Sequence, residues 1–106
     1  DIGAACASLE EHSGEPVSLD QLGEVAGLSK YYLLRSFTKQ KGISPYRYLE
    51  TIRIAKARKL LERNVPMIEV ALQTGFADQS HFSRFFKRLI GVTPRQYAEI
   101  FGGRQA

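Results

Sequence analysis

Tryptophan is absent from this chain of 106 residues, and cysteine and methionine occur once each. The lone thiol, Cys6, excludes an internal disulfide and with it the cross-linked architecture of small secreted domains. Histidine is almost as scarce. His12 and His81 with one distant cysteine do not supply the four nitrogen or sulfur ligands of a zinc site, so no metal is expected. Long apolar runs are missing, which excludes a membrane-spanning helix, and no charged-then-apolar leader precedes a cleavage site. A soluble, cytoplasmic chain is the expectation. No segment alternates with the period of two that marks a half-buried strand. No phosphate-cradling loop is present, because GFADQS lacks the P-loop lysine, and no G-x-S-x-G elbow holds a nucleophile. Ser83 and His81, two apart on a helix, diverge and make no hydrolytic pair. Neither an enzyme nor a cofactor is expected.

Positive charge is missing from the first 29 positions, where Asp1, Glu10, Glu11, Glu15, Asp20 and Glu24 give a net −6. All fifteen lysines and arginines fall after them against five carboxylates, for +10. That asymmetry suits a polyanionic partner, nucleic acid or an acidic membrane surface, or is only a solvated face. The chain starts at Asp1 without a methionine, so a trimmed partner domain is also expected.

What is abundant is helix punctuation. Hydrophobic residues make up 43% of the chain, enough for one compact core or two small ones. Ser18, Ser29, Ser44, Asp78 and Thr93 sit where N-caps belong, and Gln21 follows Ser18 at capping-box spacing. Ser44-Pro45 and Thr93-Pro94 place proline at a first helical position, and Pro66 can start another helix. Glycines 27, 42, 75 and 91 fall at helix ends. These signals predict an all-α fold of seven helices, at about 2–12, 19–26, 30–41, 45–63, 66–74, 79–90 and 94–100.

The chain also repeats itself. Leu22, Gly23, Ala26, Gly27 and Leu28 match Val70, Ala71, Thr74, Gly75 and Phe76 at an offset of 48. Leu33, Arg35, Phe37, Gly42, Ser44, Pro45 and Tyr48 match Phe82, Arg84, Phe86, Gly91, Thr93, Pro94 and Tyr97 at 49, so one residue is inserted in the second turn. Each copy reads as helix, glycine turn, helix, with Gly23 or Ala71 where the second helix packs closely. That is the helix-turn-helix pattern, and its basic second helices favour DNA over a generic helical hairpin. The expected organisation is a first helix-turn-helix subdomain over 1–43, a linker helix over 44–64 and a second subdomain over 65–106.

In DQSHFSRFFKRL, residues 78–89, Phe82, Phe85, Phe86 and Leu89 take the spacing of a buried stripe, leaving Gln79, Ser80, Ser83, Arg84 and Lys87 on the other side. Glutamine suits adenine, arginine suits guanine, and serine can donate or accept at a major-groove edge. In the first copy Leu33 and Phe37 point inward, which leaves Tyr31, Leu34, Arg35, Thr38 and Lys39 for the groove or the backbone. Leu34 has no hydrogen bond to offer; it contacts thymine methyl groups or packs against Tyr31. Lys30, Thr38, Lys39, Lys87 and Arg88 are the candidates for phosphate contact.

Between the copies, SPYRYLETIRIAKARKLLERN can present Tyr48, Leu49, Ile52, Ala55, Leu60 and Leu61 as an apolar face with Arg47, Arg53, Lys56, Arg58, Lys59 and Arg63 around it. At about 1.5 Å per residue this helix spans roughly 28 Å, close to the roughly 34 Å of one duplex turn. Its cations touch phosphate or only solvate the helix.

GFADQSHFSRFFKRLIGVTPRQY resembles the signature of the AraC/XylS family of bacterial transcription regulators, and SPYRYLETIRIAKARKLL is similar to that family's linker helix. The resemblance covers residues 5 to 100. It implies two helix-turn-helix units joined by a long helix, binding an asymmetric promoter site in double-stranded DNA and influencing RNA polymerase. By matching position it places base contacts on Tyr31, Leu34 and Arg35 in the first reading helix and on Gln79, Ser80, Ser83 and Arg84 in the second. Leu34 stands where well-known members carry a polar residue. Most members also carry a separate effector-sensing or dimerising domain. The competing expectations are a basic module without sequence preference and a protein-docking bundle.

Overall fold

The computed structural model describes residues 2–103, and seven helices account for most of them: α1 (Gly3–Glu11), α2 (Leu19–Ala26), α3 (Lys30–Lys41), α4 (Pro45–Glu62), α5 (Met67–Thr74), α6 (Gln79–Ile90) and α7 (Pro94–Phe101). No strand occurs among the described residues. The all-α expectation therefore holds, with ends that move by a residue: α1 is shorter at both ends, α4 stops at Glu62, Pro66 lies just outside α5, and α7 runs on to Phe101.

Five helices begin where a side-chain oxygen replaces a missing backbone acceptor. Ser29 and Ser44 accept from the backbone N–H groups of Tyr32 and Arg47 at 3.3 and 3.1 Å, and Asp78 accepts from His81 at 2.7 Å. Ser18 and Gln21 complete the expected capping box, each side chain accepting from the other's N–H at 3.2 Å. Thr93 and Gln96 form a second one that the sequence reading passed over.

The chain divides into two compact units, Asp1–Ile52 and Arg53–Ala106. In the first, Ile2 just before α1, Ala5 and Leu9 of α1, Leu22 of α2, Leu33 and Phe37 of α3 and Leu49 of α4 form the core. In the second, Ile54, Ala57 and Leu61 of α4 pack with Val70, Ala71, Phe76, Phe82, Phe85, Phe86 and Tyr97.

The duplication is geometric as well as textual. After α2 the N–H of Leu28 donates to Gly23 O at 2.8 Å and that of Gly27 to Glu24 O at 3.2 Å; after α5 Phe76 donates to Ala71 O at 3.2 Å and Gly75 to Leu72 O at 3.3 Å. This is one Schellman-type stop made twice, with Gly27 and Gly75 at φ 71° and 91°, where a β-carbon is strained. Further along, Phe37 meets Tyr48 edge-on at 5.3 Å and Phe86 meets Tyr97 at 5.5 Å, pairs related by the same offset of 49. The inserted residue is Ala77, which lies between the turn and the Asp78 cap.

Gly23 marks the closest approach in the first unit. A β-carbon there meets the backbone oxygen of Leu28 at 2.5 Å, and a main-chain atom has little room to give way. Gly23→Ala gains helix propensity of up to about 1 kcal/mol but overpacks this turn, so a net loss of about 1–2 kcal/mol is expected. Urea unfolding checks it; a variant as stable as the parent sinks the close-packing account.

Three packing expectations need correction. Leu89 is not part of the buried stripe but 45% exposed; the i, i+4 line from Phe82 through Phe86 reaches Ile90 instead, which packs against the core. Ala55 is exposed, because the inner side of α4 carries Leu49 and Glu50, then Arg53 and Ile54, then Ala57 and Leu61, and this inner line skips position 55. Arg53, expected on the solvated rim, therefore falls on the inner line and is 6% exposed, its guanidinium carbon 5.9 Å from the centre of the Phe76 ring.

Candidate nucleic-acid interface

The second helix of each helix-turn-helix is α3 in the first unit and α6 in the second. Each is fixed from behind by aromatic burial. Leu33 and Phe37 of α3 are wholly buried, as are their equivalents Phe82 and Phe86 of α6. Behind α6, Phe76 stacks with Phe82 and Phe85 at centroid distances of 5.3 and 6.2 Å, and Tyr97 abuts Phe86. Tyr97 is held in turn by the end of α4: its hydroxyl donates to the Glu62 carboxylate and accepts from Arg58 Nε at 3.2 Å. That hydrogen bond, with the Coulombic pull of Tyr97 and of Glu62, raises the pKa of Arg58 above its ordinary value.

With the inner faces buried, the outer faces are defined. On α3, Tyr31, Leu34, Arg35, Thr38 and Lys39 line one open depression, the five residues expected on that side. Lys30 lies beside them, its ammonium 5.8 Å from the Tyr31 ring centre. On α6, Gln79, Ser80, Arg84, Lys87 and Arg88 are exposed, and Ser83 is half-buried. Tyr32, 63% exposed, was not singled out from the sequence; it flanks the inward-facing Leu33 and carries no periodic signal of its own. Lys41 turns away from the depression, its ammonium 5.8 Å from the Tyr48 ring.

Neither helix contains an acid: α3 carries Lys30, Arg35, Lys39 and Lys41, and α6 carries Arg84, Lys87 and Arg88. The carboxylate of Asp78 is committed to the α6 cap. Such faces attract phosphate and repel basic protein surfaces. Among the described residues no group of three or more His, Cys, Asp or Glu is placed to hold a metal ion, and no helix is long and apolar enough to cross a membrane.

A family model described as a helix-turn-helix domain matches residues 22–100, from α2 to α7. The fold agrees with a crystal structure of an AraC-type DNA-binding domain regulator from Chromobacterium violaceum at a TM-score of 0.88 and 27% identity, covering 98% of this chain and 94% of that one. The chain belongs to the AraC-type helix-turn-helix family of DNA-binding domains.

Two further likenesses extend the match. The chain is 59% identical over 81 residues to the HTH-type transcriptional regulator YbfI of Bacillus subtilis, covering 76% of the chain and 30% of that protein. It superposes on the DNA-binding domain of AdpA, solved with a target DNA, at a TM-score of 0.88 and 28% identity over 94% of this chain and 91% of that one. This AraC-type domain spans about a third of the length of the curated relatives it matches. Within it, all of the expected reading residues lie in the first six positions of their twelve-residue helices. That is the half of a recognition helix that meets base edges when the helix enters a groove.

Proposed function

We propose that this AraC-type domain binds an asymmetric double-stranded DNA site as a monomer, placing α3 and α6 in successive major-groove segments. Base readout falls to Tyr31, Leu34 and Arg35 on the first helix and to Gln79, Ser80, Ser83 and Arg84 on the second. Lys30, Thr38, Lys39, Lys87 and Arg88 are assigned to phosphates. The observation that carries this reading is the duplicated unit: two copies of the same turn, each followed by an acid-free helix with a buried aromatic back and an exposed, largely polar front. Because both copies belong to one polypeptide, no palindrome is required, unlike the dimeric helix-turn-helix proteins whose half-sites are related by symmetry.

The remainder of the full-length protein is proposed to carry an effector-sensing or dimerising domain, in keeping with the third of its relatives' length that the chain spans. RNA polymerase is the proposed second partner, the bacterial cytoplasm the proposed location, and no catalytic step is assigned.

Selection of bound duplexes from a random pool at moderate salt, followed by titration of the winner against random DNA, tests this. An asymmetric site bound about 10³-fold or more above random DNA is expected. Uniform recovery of all sequences would reduce the domain to a non-specific binder, and no recovery would point to a protein partner.

A further inference from the structure

The two reading helices, alike in their backs, differ in the chemistry of their fronts. At the offset of 49, Ser80 and Ser83 of α6 correspond to Tyr31 and Leu34 of α3, while Arg84 corresponds to Arg35. The first unit thus keeps the arginine and exchanges both hydroxyl-bearing serines for large side chains with an apolar face. Tyr31 is 76% exposed and Leu34 39% exposed, so both still present apolar surface to solvent. They share one open depression with Thr38, which adds a methyl group, and with Arg35 and Lys39, which bound it with positive charge.

An apolar floor inside a cationic rim has one natural occupant on duplex DNA. The C5-methyl group of thymine is the only apolar feature that a major-groove base edge presents. Lys39, paired with phosphate, holds the helix in place; the apolar floor then meets the edge. A serine gains nothing from that methyl, whereas Leu34 and the Tyr31 ring remove it from water.

We propose that Tyr31 and Leu34 make the first unit a reader of 5-methylpyrimidines, with Leu34 the residue that sets the preference, and that Arg35 reads the neighbouring base. This rests on the functional reading given above, and it deepens that reading by assigning the two helices different chemistries: methyl contact in α3, hydrogen bonding in α6. A cytosine methylated at C5 offers the same methyl and satisfies the same floor.

The test uses the 106-residue chain and the duplex recovered by selection. Each thymine of the segment bound by the first unit is replaced in turn by deoxyuridine, which removes the methyl and nothing else. One or two positions are expected to lose about fourfold in affinity, the equivalent of the ~0.8 kcal/mol of one buried carbon group. Leu34→Ala, at an exposed position where folding is checked by helical circular dichroism, is expected to erase that difference. It should leave unchanged the base preferences in the segment bound by α6. Uridine tolerated throughout the first segment, or a uridine penalty that persists in Leu34→Ala, overturns the proposal while leaving the sequence-specific domain intact. Failure to select any preferred duplex overturns both.

Discussion

Phe86→Ala is expected to lower the free energy of unfolding by about 3–5 kcal/mol, the cost of emptying a fully buried aromatic site. The ring is inaccessible to solvent and links two others in the second unit's aromatic cluster, 5.7 Å from Phe82 on one side and 5.5 Å from Tyr97 on the other. Edge-on aromatic pairs of this kind add about 0.5–1.5 kcal/mol beyond the area they bury. The loss is a large share of the roughly 5–15 kcal/mol that holds a whole domain together. Phe86→Leu refills part of the space and is expected to cost distinctly less. Equilibrium denaturation in urea followed by circular dichroism gives both values. A loss under about 1 kcal/mol for the alanine variant would mean that the cluster around α6 is not what supports it.

The same ring shows why so much of this fold was legible in advance. Caps and stops are written in single residues: Ser18, Ser29, Ser44, Asp78 and Thr93 open helices, and Gly27, Gly42, Gly75 and Gly91 close them with positive φ. Duplication doubled the turn signals, with Gly27 and Gly75 marking equivalent stops. Periodicity located Phe82, Phe85 and Phe86 for the same reason, since three aromatics on one side of a short helix leave only one way to face a core.

Periodicity faltered where a charged residue falls on a buried face. In α4 the inner side carries Arg53 beside Ile54. An arginine reads as surface because its charge is costly to bury alone, but its planar guanidinium can settle over an aromatic ring, here that of Phe76. Phe76 lies 23 residues away, and no local pattern announces the meeting. Leu89 failed in the opposite direction: it has the right residue type and spacing, but Ile90 lies on the continuing line and takes the place. The outward faces of α3 and α6 were legible because they are what remains once the inner faces are known. Which atoms of DNA they meet is a property of the complex, which neither the periodicity nor the fold contains.

Arg84→Ala is the substitution by which the proposed roles on α6 are best separated. Arg84 is exposed in the first half of the helix, and its equivalent, Arg35, occupies the same place on α3. If its planar fork pairs with the two acceptors of a guanine, removing it should cost about 1–3 kcal/mol on the selected site and relax the preference at one base pair. On random DNA the loss should be far smaller, since no particular guanine is in register. Lys87→Ala, in the second half of the helix, should behave otherwise: all sequences weaken alike, and the slope of log affinity against log salt falls by about one. Parallel titrations of both variants on specific and random duplexes at two or more salt concentrations distinguish the roles. An Arg84→Ala variant that loses equally on both DNAs would make this arginine a phosphate contact, and the reading of bases by α6 would then rest on Gln79, Ser80 and Ser83 alone.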